Sequence, residues 1–193
     1  MRRLLLFAST LSILVLSGAQ SAQATSESRS FRWELGTGAV CAIEPGACPV
    51  SAMASNGDTV AIKAQGNFGA KEREASGGGT FEHRTSSGAL LASGTLKATR
   101  LLGFSFYGCD TSGFFPSDYC GGRAVLLVQL VGHPASNPSA KIKATGILVV
   151  TCLFGSPPAD ANEGFTLDVK HLINFNIDTP FMGDTLFIQT SDD

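Results

Sequence analysis

Between Leu90 and Tyr107 the chain alternates apolar and polar residues with hardly a breaker, a period that suits a half-buried β-strand and not a helix. Leu90, Ala92, Leu96, Ala98, Leu102, Phe104 and Phe106 fall on one face, with Ser93, Thr95, Lys97, Thr99 and Ser105 on the other. Just upstream, Gly77-Gly78-Gly79 opens a shorter alternating run through Thr80, Phe81, Glu82, His83 and Arg84, and Ser87-Gly88 supplies a turn. Gly77 to Tyr107 therefore reads as an antiparallel β-hairpin with one dry face. Arg100 breaks the pattern, because its position puts it on that face.

The rest of the chain repeats the theme. Phe31 to Leu35 alternates, with Trp33 on the core side. Thr59 to Gln65 places Val60, Ile62 and Ala64 together after the turn Asn56-Gly57-Asp58. Arg123 to Val131 is apolar apart from Gln129. Lys141 to Leu153 puts Ile142, Ala144, Gly146, Leu148, Val150 and Cys152 on one face. Phe165 to Phe175 aligns Phe165, Leu167, Val169, His171, Ile173 and Phe175, and Thr179-Pro180 breaks the chain before a last short strand, Thr185 to Gln189. With no convincing amphipathic helix, this predicts an all-β fold of about seven or eight strands: an antiparallel up-and-down β-barrel, with a β-sandwich as the alternative. Residues 25–193 are expected to form one all-β domain.

Residues 1–24 read as a secretory signal peptide. Arg2 and Arg3 form a positive start, Leu4 to Leu16 an apolar run, and Ala22-Gln23-Ala24 a small-x-small cleavage site. The apolar run is shorter than the roughly 20 residues that span a bilayer. A secreted protein, extracellular or periplasmic, is expected, with no membrane span. The formal net charge is -2, and the leader removes two arginines and no acid. That acidic balance, with no basic run, argues against nucleic acid as a partner.

All five cysteines follow the leader. Four of them allow three pairings; the local one, Cys41–Cys48 and Cys109–Cys120, is favoured because each bond would close a short turn-rich loop. Cys152 is left on an apolar strand face, where a reduced cysteine behaves as a small hydrophobe.

Motifs for common chemistry are absent. There is no nucleophile elbow, phosphate loop, His-Glu-x-x-His or Cys-x-x-Cys. No metal site and no cofactor are expected. Four polar residues stand out because periodicity puts them on dry faces: His83, Arg100, Gln129 and His171. In a barrel they could line one interior cavity, where apolar walls with a few polar groups suit a small apolar or anionic ligand. A buried Arg100 would need an anion, with Glu82, Asp168 or Glu163 as protein candidates, although a β-bulge would instead rotate it outward.

Several blocks carry a resemblance: Asn56-Gly57-Asp58-Thr59, Ser76-Gly77-Gly78-Gly79-Thr80-Phe81-Glu82-His83, Ala92-Ser93-Gly94-Thr95-Leu96-Lys97-Ala98-Thr99 and Glu163-Gly164-Phe165-Thr166-Leu167-Asp168. They resemble those of a family of uncharacterised small secreted bacterial proteins, with Leu96 where a Trp is expected. The resemblance implies secretion and carries no activity. The glycine-rich strand starts and long strands are more loosely similar to the barrels of dirigent proteins and allene oxide cyclase. Three functions follow in order: a secreted small-molecule-binding barrel, an extracellular structural or interaction protein with exposed aromatics near Phe114 and Phe115, and a cofactor-free cyclase or isomerase. The last needs His83 or His171 within reach of a carboxylate.

Overall fold

The computed structural model describes residues 29–71, 73–177 and 183–192. The leader expected at 1–24 and the break at Thr179-Pro180 lie outside the described residues. Ten strands run β1 (Arg29–Leu35), β2 (Val50–Met53), β3 (Thr59–Gly69), β4 (Glu74–Arg84), β5 (Leu90–Cys109), β6 (Tyr119–Pro134), β7 (Ile142–Cys152), β8 (Gly164–Val169), β9 (Ile173–Phe175) and β10 (Thr185–Asp192). A five-residue helix, α1 (Ala39–Ile43), follows β1. The strands form one antiparallel sheet in the order β10-β1-β3-β4-β5-β6-β7-β8-β9, with β2 beside β3. At the start of β6, Tyr119 and Cys120 also pair with Ile188 and Phe187 of β10. The path from β10 through β1, β3, β4 and β5 to β6 thus returns on itself as a partial ring of six strands.

The hairpin expected at Gly77 to Tyr107 is the β4–β5 pair, with Phe81 opposite Gly94 and Gly79 opposite Leu96. Its glycine cluster has a steric cause. A Cβ on Gly79 would stand 1.9 Å from the Lys63 carbonyl oxygen. Two rows further along, Trp33 of β1 pairs with Gly66 of β3, which pairs with Gly77 of β4. A Cβ on Gly66 would stand 2.8 Å from the indole nitrogen, so the glycine makes room for the ring. Trp33 is fully buried, and its Nε1 donates to the Ser76 carbonyl at 3.3 Å.

Phe31, Phe68, Phe104, Phe106 and Phe187 converge from β1, β3, β5 and β10, with ring centroids 4.8 to 6.3 Å apart. Burying one such side chain contributes about 1.5–3 kcal/mol, and the tilted ring contacts add to that. This cluster couples the ring's opposite staves.

Strand β5 departs from strict alternation. Register shifts between Ala98 and Arg100, and again between Leu101 and Gly103, leave Thr99 and Leu102 as extra residues. The first bulge turns Arg100 outward and Leu101 inward; the second restores the phase, so Phe104 packs against the core. Leu101 is the core residue here, and Leu102, expected inside, is exposed.

Both local disulfides form, Cys41–Cys48 and Cys109–Cys120. Cys152 is a buried free thiol. Outside the sheet, the Cys41–Cys48 segment folds back over β1. Glu34 points away from the core side, yet is fully buried there. Its Oε2 accepts the Ala39 N–H at 2.7 Å, and its Oε1 meets the Arg32 guanidinium as an ionic contact. Gly38 permits this approach, since a Cβ there would stand 2.4 Å from the Glu34 carboxyl.

Candidate functional site

The inner faces of β3 to β9 leave an apolar cavity of about 290 Å³. Its walls include Val60, Phe81, Leu130, Ala144, Leu167 and Phe175, and His83 is the sole ionisable group among its lining residues. The position of His83 follows from the β3–β4 register, which sets it opposite Val60 and beyond Phe81 on the same face. Its Nε2 lies 3.2 Å from Asp58 Oδ2, and its ring meets Phe175 edge-on at 5.2 Å. Asp58 belongs to the Asn56-Gly57-Asp58 turn, where its own N–H bonds to Asn56 Oδ1 at 3.1 Å. A half-buried imidazole is thereby fixed in orientation by a carboxylate on one side and a ring on the other.

Of the four residues singled out from the sequence, only His83 lines this cavity. Arg100 is exposed on the outer face, turned there by the Thr99 bulge. Gln129 is also exposed: β6 buries Ala124, Leu126, Val128 and Leu130, which puts Gln129 on the opposite face. His171 is not in a strand. The run from Phe165 to Phe175 is a β8–β9 hairpin in which Val169 pairs with Ile173, and His171 occupies the exposed tip with φ +63°. Gln129 and His171 do share a hollow, with Lys143 and Lys170, but it lies on the outside of the sheet. The single interior cavity expected for all four is therefore corrected to one residue.

A second cleft, of about 350 Å³, opens near the start of β6. Val40, Ile43 and Glu44 form one wall, Phe115 and Tyr119 another, and Cys152, Phe154, Glu163 and Asp184 to Leu186 the base. Ile43 and Glu44 lie within the Cys41–Cys48 loop, with Val40 just before it, and Phe115 and Tyr119 lie within the Cys109–Cys120 loop. At the base, Glu163 Oε2 accepts the Leu153 N–H at 2.7 Å and Oε1 accepts the Thr185 N–H at 3.0 Å. Thr185 Oγ1 stands 2.6 Å from Glu163 Oε1 and 2.6 Å from the Thr151 carbonyl oxygen.

Both contacts draw on one hydroxyl, which has a single proton to share between the Thr151 carbonyl and the Glu163 carboxyl. Burial pushes the Glu163 carboxyl above the usual range, more than the hydrogen bonds from Thr185 and Leu153 pull it down. Burial, with the nearby Glu163 carboxyl adding to it, also pushes the Cys152 thiol far up, which keeps it protonated and unreactive.

Asp58 and Thr185 were not identified from the sequence as site residues, and Glu163 was named only as a candidate anion for Arg100. Asp58 had a local signal, the turn immediately before β3. Glu163 had none, since its partners lie 10 and 22 residues away. Among the described residues no group of three or more His, Cys, Asp or Glu side chains is placed to hold a metal ion. Nor is any helix among them long and apolar enough to cross a membrane. In comparisons with known proteins, no family model, curated protein or solved structure matches the chain.

Proposed function

We propose that the protein binds a small, largely apolar molecule in the cavity lined by His83. The observation that carries this reading is the cavity itself: apolar walls from seven strands around one oriented polar group. Its volume lies at the lower end of the range for ligand pockets, which suits a one- or two-ring compound. In this reading the six-strand ring acts as a barrel, with β10 sealing it against β6. The two disulfides suit an oxidising compartment, in keeping with export and with the resemblance to small secreted bacterial proteins.

The test is a thermal-shift and calorimetric series with naphthalene, 1-naphthol and indole. A bound compound should raise Tm with concentration; saturation at a hundred times Kd corresponds to about 2.7 kcal/mol. Ala144→Phe, which fills the cavity, should abolish the rise. His83→Phe should remove the preference for 1-naphthol over naphthalene. Shifts that survive Ala144→Phe, or no shift with any compound, would count against this reading.

One observation favours a second reading. The His83–Asp58 pair is the arrangement a cofactor-free isomerase or cyclase uses to move a proton. In that case His83→Gln would leave ligand binding in place and remove turnover.

A further inference from the structure

We propose that the cleft between the two disulfide-bonded segments is a separate site for a small hydrophobic cation, an aryl-alkyl ammonium. Three observations converge on it. First, the walls are apolar and partly aromatic, and two of their side chains face water: Ile43 is 51% exposed and Phe115 38%. Phe115 is held edge-on against Phe154 at 5.2 Å, so its position is set by packing. Second, both walls are tied by disulfides, which lowers the ordering cost of binding. Third, the lining holds Glu44, Glu163 and Asp184 and no Lys, Arg or His.

The charge pattern selects the occupant. Both oxygens of Glu163 are taken up by Leu153 and Thr185, so the carboxylates left to face a ligand are those of Glu44 and Asp184. Among the described residues neither makes an ion pair. Burial and the neighbouring Glu44 charge both disfavour ionised Asp184. An ammonium group set near these two carboxylates relieves that repulsion, and its apolar body covers Ile43, Phe115 and Phe154. The aromatic faces add cation–π attraction. An anion of the same shape meets repulsion, and a neutral analogue desolvates the acids with no compensation. The site lies at the start of β6, whereas the His83 cavity reaches Leu130 and Gly132 near its end, so the two are independent.

The experiment uses three probes of one size: phenethylammonium, 2-phenylethanol and phenylacetate, titrated calorimetrically into the disulfide-intact protein. Phenethylammonium should bind at least tenfold more tightly than the alcohol, with no detectable heat from phenylacetate. Glu44→Gln and Asp184→Asn should each weaken the ammonium several-fold, and raised salt should weaken it further. Ala144→Phe, which fills the other cavity, should leave it unchanged, and circular dichroism should show each variant folded. Equal affinity for the three probes, no binding of the ammonium, or insensitivity to both carboxylate variants would overturn the proposal. So would loss of ammonium binding in a folded Ala144→Phe variant.

Discussion

Replacing Glu163 separates what its proton does from what its shape does. The folded state holds this proton above the ordinary carboxylate range, as it does that of Asp184, so over that window it binds more protons than the unfolded chain. Stability must then fall as pH rises from the normal carboxylate pKa through the raised one. Asp110 works in the opposite direction through its hydrogen bond from Ser112, but it is fully exposed and screened. Urea denaturation from pH 4.5 to 8 should show wild-type stability declining, while Glu163→Gln flattens much of the slope. That variant should cost about 1 kcal/mol at the acid end, because an amide nitrogen cannot accept the Thr185 N–H. A wild-type curve that rises across this range would contradict an upward shift of the Glu163 carboxyl. None of this is visible in the residue order: Glu163 looks like an ordinary loop acid, and its burial depends on β7 and β10 meeting around it. Trp33 is the opposite case, legible as core from the alternation of Phe31, Trp33 and Leu35 alone.

Strand periodicity carried the elements well where one face is dry and the other polar. The facing residues of β3 and β7 and the β4–β5 hairpin are as the alternation predicts. It failed in three places for three physical reasons. In β5 the first two of three bulges shift the phase and restore it, a feature with no composition signature. In β6 both faces are apolar, so the phase of Gln129 could not be read from its neighbours. Between β8 and β9 a three-residue turn, Lys170-His171-Leu172, happens to preserve the alternating pattern across a change of strand. The β5 case gives a discriminating pair of variants. Leu101→Ala should cost about 2–5 kcal/mol, as expected for a fully buried leucine. Leu102→Ala, the residue that simple alternation would bury, should stay within about 0.5 kcal/mol. Denaturant midpoints measure both, and the reverse order would mean the bulges are absent.

Across the whole molecule the two disulfides are not equivalent. Cys109 and Cys120 are direct partners in the β5–β6 ladder, so that bond reinforces a pairing the strands already make. Cys41 and Cys48 hold a segment whose regular structure is one turn of helix and a three-residue 3-10 turn. Each should contribute about 2–3 kcal/mol through the unfolded chain. Their removal should differ in local order. Under limited proteolysis, Cys41→Ser with Cys48→Ser should open cleavage between Ala39 and Cys48, while Cys109→Ser with Cys120→Ser should leave 121–134 protected. Equal protection in both double variants would show that the helical segment is held by its packing over Glu34 instead. The strand list could not show the partial ring, because the β6–β10 contact rests on two residue pairs between distant segments.

The β1–β10 pairing, Arg29 opposite Asp192, has a consequence in time as well as space. Strand β1 lies between β3 and β10, so one of its two edges finds its partner only after some 150 intervening residues are in place. Hairpins such as β4–β5 can form locally and early, whereas this seam must wait for a long-range closure with a large entropic barrier. Until then the outer edge of β1 and the start of β6 are open templates for a stray strand, the state in which a sheet of this kind is most exposed to aggregation. The partial ring, the buried Glu163 and the cleft above it all come into existence in that last step.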